Sequence, residues 1–210
     1  DFVSKNAENF IREYSSLVSR IIFTGDVFSF PSIEKWRQLR ELAGHDVDII
    51  IAPGNHDFLR PDSRDVFLQS EFSLRKYPFI VDIDGASIII ENSIETFWST
   101  SKNTFDLAKL TQQEIVIIAR HNPPIIEFSN IVNSKSGMPN NLENIEELIK
   151  NFENNKFYIW VIGDSGAFPD MPRIMCLSYK NHKFILNGLG QTNGDSVLIY
   201  NNNQIYEFKL

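Results

Sequence analysis

Residues 50–58 read IIAPGNHDF, an apolar run that enters Ala-Pro-Gly and then places three polar side chains side by side. A β-branched run that ends in Pro and Gly is typical of a strand that leads into a tight turn. Asn55, His56 and Asp57 therefore directly follow a predicted strand. Three adjacent polar side chains at the mouth of such a turn indicate a functional site rather than an ordinary surface loop.

Helical and strand patterns alternate on both sides of this stretch. Apolar residues at helical spacing predict helices over 7–19, 31–44, 64–76, 105–113 and 141–155. Short β-rich runs predict strands over 20–25, 47–54, 114–121 and 157–164, and hairpins over 78–92, 173–190 and 195–210. This order predicts a layered α/β protein, and we expect residues 1–210 to form a single domain.

Composition excludes several classes of protein. The 20 basic and 27 acidic residues give a net charge of −7 with no basic patch, so long nucleic acid is not an expected partner. No stretch approaches the roughly 20 apolar residues of a membrane span. The N-terminus lacks an apolar signal core, which predicts a cytoplasmic protein, although a chain with its export signal removed would read the same way. The single cysteine, Cys176, lies in an apolar run and predicts a buried thiol.

Polar residues follow four of the predicted strands. Asp26 follows RIIFTG, Asn55 and His56 follow the second strand, His121 ends EIVIIARH, and Asp164 ends FYIWVIGD. In open α/β sheets, ligands bind outside the carboxyl ends of the strands. Oxygen and imidazole donors suit Mn, Fe, Zn or Mg better than a thiol-seeking metal. These residues therefore predict a metal site at one edge of the sheet.

The GD, GNHD and strand-end His motifs together resemble the calcineurin-like metallophosphoesterases. The resemblance runs from about residue 6 to the C-terminal hairpins. It implies a four-layer αββα sandwich with two mixed β-sheets. It also implies a metal-dependent hydrolase, in which water bound to one or two divalent metal ions attacks the phosphorus of a small phosphorylated substrate.

The resemblance also implies a role for each motif residue. Asp26 would bridge the two metals, and Asn55 and His121 would bind the second metal. His56 would be the catalytic histidine that assists the leaving group, and Asp57 would orient it. Asn55 would also contact the substrate. Independently of the resemblance, Arg120 and Arg173 are side chains that could reach a substrate phosphate.

The sequence departs from the family pattern at three places. The usual Asp-x-His near the start is missing, because Val3 stands at the histidine position after Asp1. Either an N-terminal strand upstream carries the motif, which we expect, or the motif is lost. The usual Gly-His-x-His reads GDSG, so Asp164 is left as an oxygen ligand and Gly166 offers no ligand. Ser29 occupies a position where an acidic or amide residue is usual.

Structural explanations compete with these functional ones. Asp26 can cap a turn, Asn55 can form an Asx turn, and the Asp164 segment can be an ordinary turn. His121 can simply bond to the backbone. Arg120 can be surface charge, and His182 is expected in a hairpin turn.

The rival function is a non-catalytic binding or scaffold relative with one metal or none. Residues 122–141 are expected to form part of the pocket rim.

Overall fold

The computed structural model describes residues 4–128, 142–164, 174–189 and 195–210. The helices that lie wholly within these ranges are α1 (Lys5–Tyr14), α2 (Ile33–Ala43), α3 (Asn55–Phe58), α4 (Pro61–Leu68), α5 (Lys102–Leu110) and α6 (Ile145–Ile149). The strands are β1 (Arg20–Phe23), β2 (Asp48–Ile51), β3 (Phe79–Ile83), β4 (Ala86–Ile90), β5 (Ile115–Arg120), β6 (Phe157–Ile162), β7 (Ile174–Tyr179), β8 (His182–Asn187), β9 (Ser196–Asn201) and β10 (Gln204–Lys209). Short 3₁₀ turns follow α1 and α4.

A six-stranded mixed sheet forms the centre of the molecule, with strand order β3-β4-β5-β6-β8-β7. Strands β4, β5, β6 and β8 are mutually parallel, whereas β3 and β7 pair antiparallel at the two edges. Both edge strands belong to hairpins that the sequence predicts. The four parallel strands therefore present their carboxyl ends at a common edge.

A second β layer covers one face of this sheet. It consists of a parallel pair, β1 with β2, and an antiparallel pair, β9 with β10. Within the described ranges no strand joins the two pairs, so the second sheet is observed as two separate ladders and not as one continuous sheet. The expectation of an N-terminal strand upstream of Asp1 stays a prediction.

Side chains alternate between the two faces of the central sheet and fill two apolar layers. Ile88 and Ile117 pack toward Ile22 and Ile50 of the second β layer. On the other face, Ile89 and its neighbours pack against α5 and α6. Helices α1 and α2 cover the outer side of β1 and β2. The order of layers is therefore helix, strand, strand, helix, which confirms the predicted αββα architecture.

Helix ends follow the expected capping chemistry, but one predicted helix is much shorter than expected. Ser4, Ser32 and Ser101 each accept a backbone N–H bond at a helix start. The amphipathic run 141–155 forms only Ile145–Ile149, which Asn144 caps. The chain leaves the helix at Lys150 but still buries Phe152 against the central sheet. Because Phe152 is buried although it lies beyond α6, the apolar periodicity of the sequence continues past the last helical turn.

The prediction that Cys176 is buried is wrong. It lies on edge strand β7, opposite Ile185, and its thiol is exposed. The apolar neighbours Met175 and Leu177 point to the other face and pack against the buried apolar cluster that contains Phe184. An apolar run on an edge strand can thus bury only alternate residues. None of the helices in the described part of the chain is long and apolar enough to cross a membrane.

Candidate functional site

The structure brings together the side chains that follow strands β1, β2, β5 and β6. Nε2 of His121 lies 3.1 Å from Oδ1 of Asn55. The same nitrogen lies 3.5 Å from Oδ2 of Asp26 and 3.8 Å from Oδ1 of Asp164. Residues up to 138 positions apart in sequence (164 minus 26) therefore meet around one imidazole nitrogen.

The tautomer of His121 follows from its other nitrogen. Nδ1 lies 2.8 Å from the backbone carbonyl of Thr24, which can only accept, so Nδ1 carries a proton and donates. In the neutral ring, Nε2 then presents a lone pair to three oxygen atoms. Burial lowers the pKa of His121, but the carboxylates of Asp26 and Asp164 outweigh it, and the net shift is upward. The cluster thus attracts a positive charge, either a proton or a cation.

The site side chains can lie this close together because the backbone approaches closely at Gly25 and Gly54. Gly25 has φ +91°, and a Cβ there would lie 2.6 Å from both the Gly54 nitrogen and Nδ1 of His121. A Cβ on Gly54 would lie 2.2 Å from Oδ1 of Asp26. That same oxygen accepts the backbone N–H of His56 at 2.8 Å. Only glycine at these two turns leaves room for the Asp26 carboxylate beside α3.

The expectation that Asp57 orients His56 is wrong. Oδ2 of Asp57 instead accepts the backbone N–H groups of Asp26 at 2.8 Å and Gly54 at 3.1 Å. The carboxyl group is fully buried, and burial together with the Asp26 charge raises the pKa of Asp57 to about 7. Asp57 therefore ties the loop after β1 to the loop after β2.

His56 obtains its orientation from a backbone carbonyl. Nδ1 of its ring lies 2.9 Å from the carbonyl oxygen of Ser29, which fixes the proton on Nδ1 and leaves Nε2 for another partner. The Ser29 side chain is not needed for this contact, so its departure from the family pattern does not disturb His56. The ring is partly exposed beside the cluster, as a proton donor to a bound substrate must be.

Comparison with known families agrees with this geometry. Residues 6–162 match the family model described as calcineurin-like phosphoesterase, which is about three quarters of the chain. The chain is a calcineurin-like phosphoesterase. Membership implies metal-dependent phosphoester hydrolysis. No curated protein matches the chain.

Arg120 of this calcineurin-like phosphoesterase is neither surface charge nor available to a substrate. Its side chain is fully buried. Nη1 donates to Oε2 of Glu91 at 2.6 Å and to Oγ1 of Thr100 at 3.0 Å, and Nη2 donates to the carbonyl of Trp98. Nε donates to the carbonyl of Asn122 at 2.7 Å. The expectation of a phosphate contact is corrected, because every arm of the guanidinium already has a protein partner.

Asp164 is held beside the cluster by both backbone and side chain. Its N–H donates to the carbonyl of His121 at 3.0 Å, and its Oδ2 accepts from Nδ2 of Asn122 at 3.1 Å. Burial and the nearby Asp26 charge raise the pKa of Asp164, although His121 opposes that shift. Gly166 and Arg173, and residues 129–141 of the expected pocket rim, lie outside the described residues.

Sequence reasoning missed Ser93 and Asn122. Both side chains are buried within this site, at 0% and 1% exposure. Ser93 lies just beyond the end of β4, so the strand-end rule that found Asp26 would also have found it. It was missed because residues 78–92 read as a hairpin and not as a strand that leads into a site.

The donor set fits one divalent cation. In the described ranges no group of three or more His, Cys, Asp or Glu side chains has the spacing of a metal cluster. The donors around His121 include an amide. The distances from Nε2 of His121 to the carboxylate oxygens of Asp26 and Asp164, 3.5 and 3.8 Å, are long for direct contacts. Their chemistry nevertheless fits, because a lone pair and three oxygens face one another, and a metal-binding histidine typically donates its other N–H to a carbonyl. Asp26, Asn55, His121 and Asp164 would hold the ion.

Proposed function

We propose that this phosphoesterase hydrolyses small phosphate esters at the cluster formed by Asp26, Asn55, His121 and Asp164. The observation that supports this most strongly is the convergence of three side-chain oxygens on the lone pair of His121 Nε2, at 3.1 to 3.8 Å. Such an arrangement is repulsive unless a positive charge occupies it. Carboxylate, amide and imidazole donors favour Mn, Fe, Zn or Mg.

A bound divalent cation would polarise a phosphoryl oxygen and lower the pKa of water at the site. The protein contributes the groups around it. Oδ1 of Asn55 faces His121, so Nδ2 is the amide donor left for a phosphoryl oxygen. The Asp57 carboxylate keeps the two loops that carry Asp26 and Asn55 in register.

His56 would supply the proton that the leaving oxygen needs. Ser29 holds Nδ1 as a donor, so Nε2 is the atom that would carry a proton to the leaving group. The His56 side chain is partly exposed, and the backbone N–H of His56 donates to Oδ1 of Asp26. These contacts support a role for His56 beside the cluster and outside the set of cation donors.

Hydrolysis of p-nitrophenyl phosphate and bis(p-nitrophenyl) phosphate tests the proposal. Purified protein is assayed with Mn²⁺, Mg²⁺, Zn²⁺ and Fe²⁺ in turn. We expect turnover with at least one ion, loss of turnover with EDTA, and loss of turnover in Asp26→Asn. Asp48→Asn is the matched control, because that carboxylate pairs with Arg20 at the far end of β2. Absence of turnover with all four ions would overturn the proposal.

A second candidate is a non-catalytic relative that binds one cation. The observation that favours it is that the described residues offer donors around a single position, whereas the family resemblance implies two metals. One bound ion per chain without turnover of either ester would favour this candidate. The two esters also separate monoester from diester preference if turnover is found.

A further inference from the structure

Asn122 directly follows His121, beyond the end of β5. It is 1% exposed, so it cannot reach a substrate. Its Nδ2 donates to Oδ2 of Asp164 at 3.1 Å. The other oxygen of that carboxylate, Oδ1, faces Nε2 of His121. Asn122 therefore determines which oxygen of Asp164 points into the cluster.

Ser93 fixes the orientation of the Asn122 amide. The backbone N–H of Asn122 donates to Oγ of Ser93 at 3.0 Å, so this hydroxyl already accepts one bond. The hydroxyl in turn donates to Oδ1 of Asn122 at 3.2 Å. With Oδ1 engaged as an acceptor, Nδ2 must face Asp164. Asn122 thus turns Nδ2, which cannot bind a cation, towards Asp164, and its effect on the cluster passes through that carboxylate.

The buried pair of Arg120 and Glu91 anchors the same loop. Arg120 is the last residue of β5, and its Nε donates to the Asn122 carbonyl at 2.7 Å. Glu91 binds the guanidinium at 2.6 Å and also accepts from the hydroxyl of Thr104. A guanidinium with partners on every arm has little freedom to move. The Asn122 backbone is therefore held from one side by Arg120 and from the other by Ser93.

We propose that Asn122 is a positioning residue that aims Asp164 at the cation and so sets the affinity of the site for its metal. This rests on the proposed function, because it assumes that the cluster binds a cation. Outer partners of metal ligands affect metal affinity by about 10- to 100-fold. Asn122 differs from a residue that only stabilises the fold, because its effect on metal affinity depends on the Asp164 carboxylate alone.

Calorimetric titration with Mn²⁺ tests this assignment without an activity measurement. We expect Asn122→Ala to weaken Mn²⁺ binding by about 10- to 100-fold while circular dichroism shows a folded protein. Asn92→Ala is the matched control: it is also a buried asparagine, 4% exposed, but its Oδ1 accepts only the backbone N–H groups of Ile94 and Glu95. We expect Asn92→Ala to change the dissociation constant by less than about twofold.

Two further variants make the test specific. In an Asp164→Ala background, adding Asn122→Ala should weaken Mn²⁺ binding no further, since the carboxylate it orients is absent. Ser93→Ala should weaken binding in the same direction and replaces Asn122→Ala if that variant does not fold. Unchanged affinity in the folded Asn122 and Ser93 variants, or fully additive losses with Asp164→Ala, would overturn this assignment alone. Failure of the wild type to bind any of Mn²⁺, Mg²⁺, Zn²⁺ and Fe²⁺ in the same titration would overturn the proposed function as well.

Discussion

His121 and His182 are almost equally buried, at 2% and 1% exposure, yet the pKa values of their imidazoles shift in opposite directions. His121 follows the carboxyl end of β5, where the charges of Asp26 and Asp164 outweigh burial and raise its pKa. His182 starts β8 at the opposite edge of the same sheet, next to Tyr158. There burial lowers its pKa to about 4.

The surroundings of the two rings explain the difference. His182 stacks on Tyr158 with ring centroids 4.6 Å apart, and its Nδ1 accepts the indole N–H of Trp160 at 3.2 Å. Its neighbours are aromatic, so the neutral ring is favoured. Burial of a histidine therefore does not by itself indicate function. The carboxylates at the carboxyl ends of the strands make His121 part of a candidate site, whereas His182 stabilises the fold.

The largest expected effect comes from removing the imidazole at the carboxyl edge. His121→Ala should reduce kcat for the aryl phosphate by about 10³-fold or more, because the cation loses its only imidazole donor within the described residues. His182→Gln should keep kcat within about twofold of wild type at neutral pH, since that ring lies at the other edge. Equal losses of kcat in His121→Ala and His182→Gln would contradict the conclusion that only the histidine at the carboxyl ends of the strands belongs to the site.

Next in size is the loss of the proposed proton donor. His56→Ala should reduce kcat by about 10²- to 10⁴-fold, the usual contribution of a general acid. Calorimetry should show Mn²⁺ binding unchanged, because His56 lies outside the donor set. Full activity in His56→Ala would show that the proton comes from another group.

Backbone crowding at the site gives a smaller but specific effect. Gly25→Ala should lower kcat/KM by about 10²-fold, because its Cβ would displace His121 and the Gly54 turn. Gly44→Ala is the matched control, since Gly44 also has positive φ, +86°, but a Cβ there would have no other atom within 4 Å. That variant should cost about 1 to 3 kcal/mol of stability, because a side chain is strained at this backbone conformation, and should leave activity intact. Equal kinetic effects of the two substitutions would contradict the crowding argument.

The smallest expected effect is a pH dependence of the free energy of unfolding. It comes from His182, which lies at the amino ends of the parallel strands. The pKa of His182 is lower in the folded state than in the unfolded chain, so between pH 6.5 and about 4 the unfolded chain binds more protons. The free energy of unfolding should therefore fall as the pH is lowered through that range, by up to about 3 kcal/mol. Urea unfolding of wild type and His182→Gln measures this. The same slope in both proteins would exclude His182 as its source.

Much of the fold and the core of the site followed from sequence pattern. Asp26, Asn55, His121 and Asp164 were found because each follows an apolar strand, and parallel strands align their carboxyl ends. Arg120 was misread because its partner Glu91 is 29 residues away, beyond any local pattern. His182 was misplaced by a single residue: the tight turn is formed by Lys180, with φ +52°, and Asn181, so His182 already belongs to the strand.

The role of Asp57 could not be read from its neighbours in sequence. A carboxylate beside a histidine suggests a bond between them, but in the one-turn helix α3 their side chains point in different directions. Which backbone N–H groups Asp57 meets depends on how the loop after β1 folds over the loop after β2. Sequence thus identified the residues of the site better than the bonds between them.

Pulsed electron paramagnetic resonance of one equivalent of bound Mn²⁺ tests most directly whether the carboxyl edge binds a cation through His121. We predict a directly coordinated ¹⁴N coupling in the wild-type protein and in His182→Gln, and loss of that coupling in His121→Ala. An unchanged nitrogen coupling in His121→Ala, or wild-type Mn²⁺ that shows only water ligands, would contradict the account.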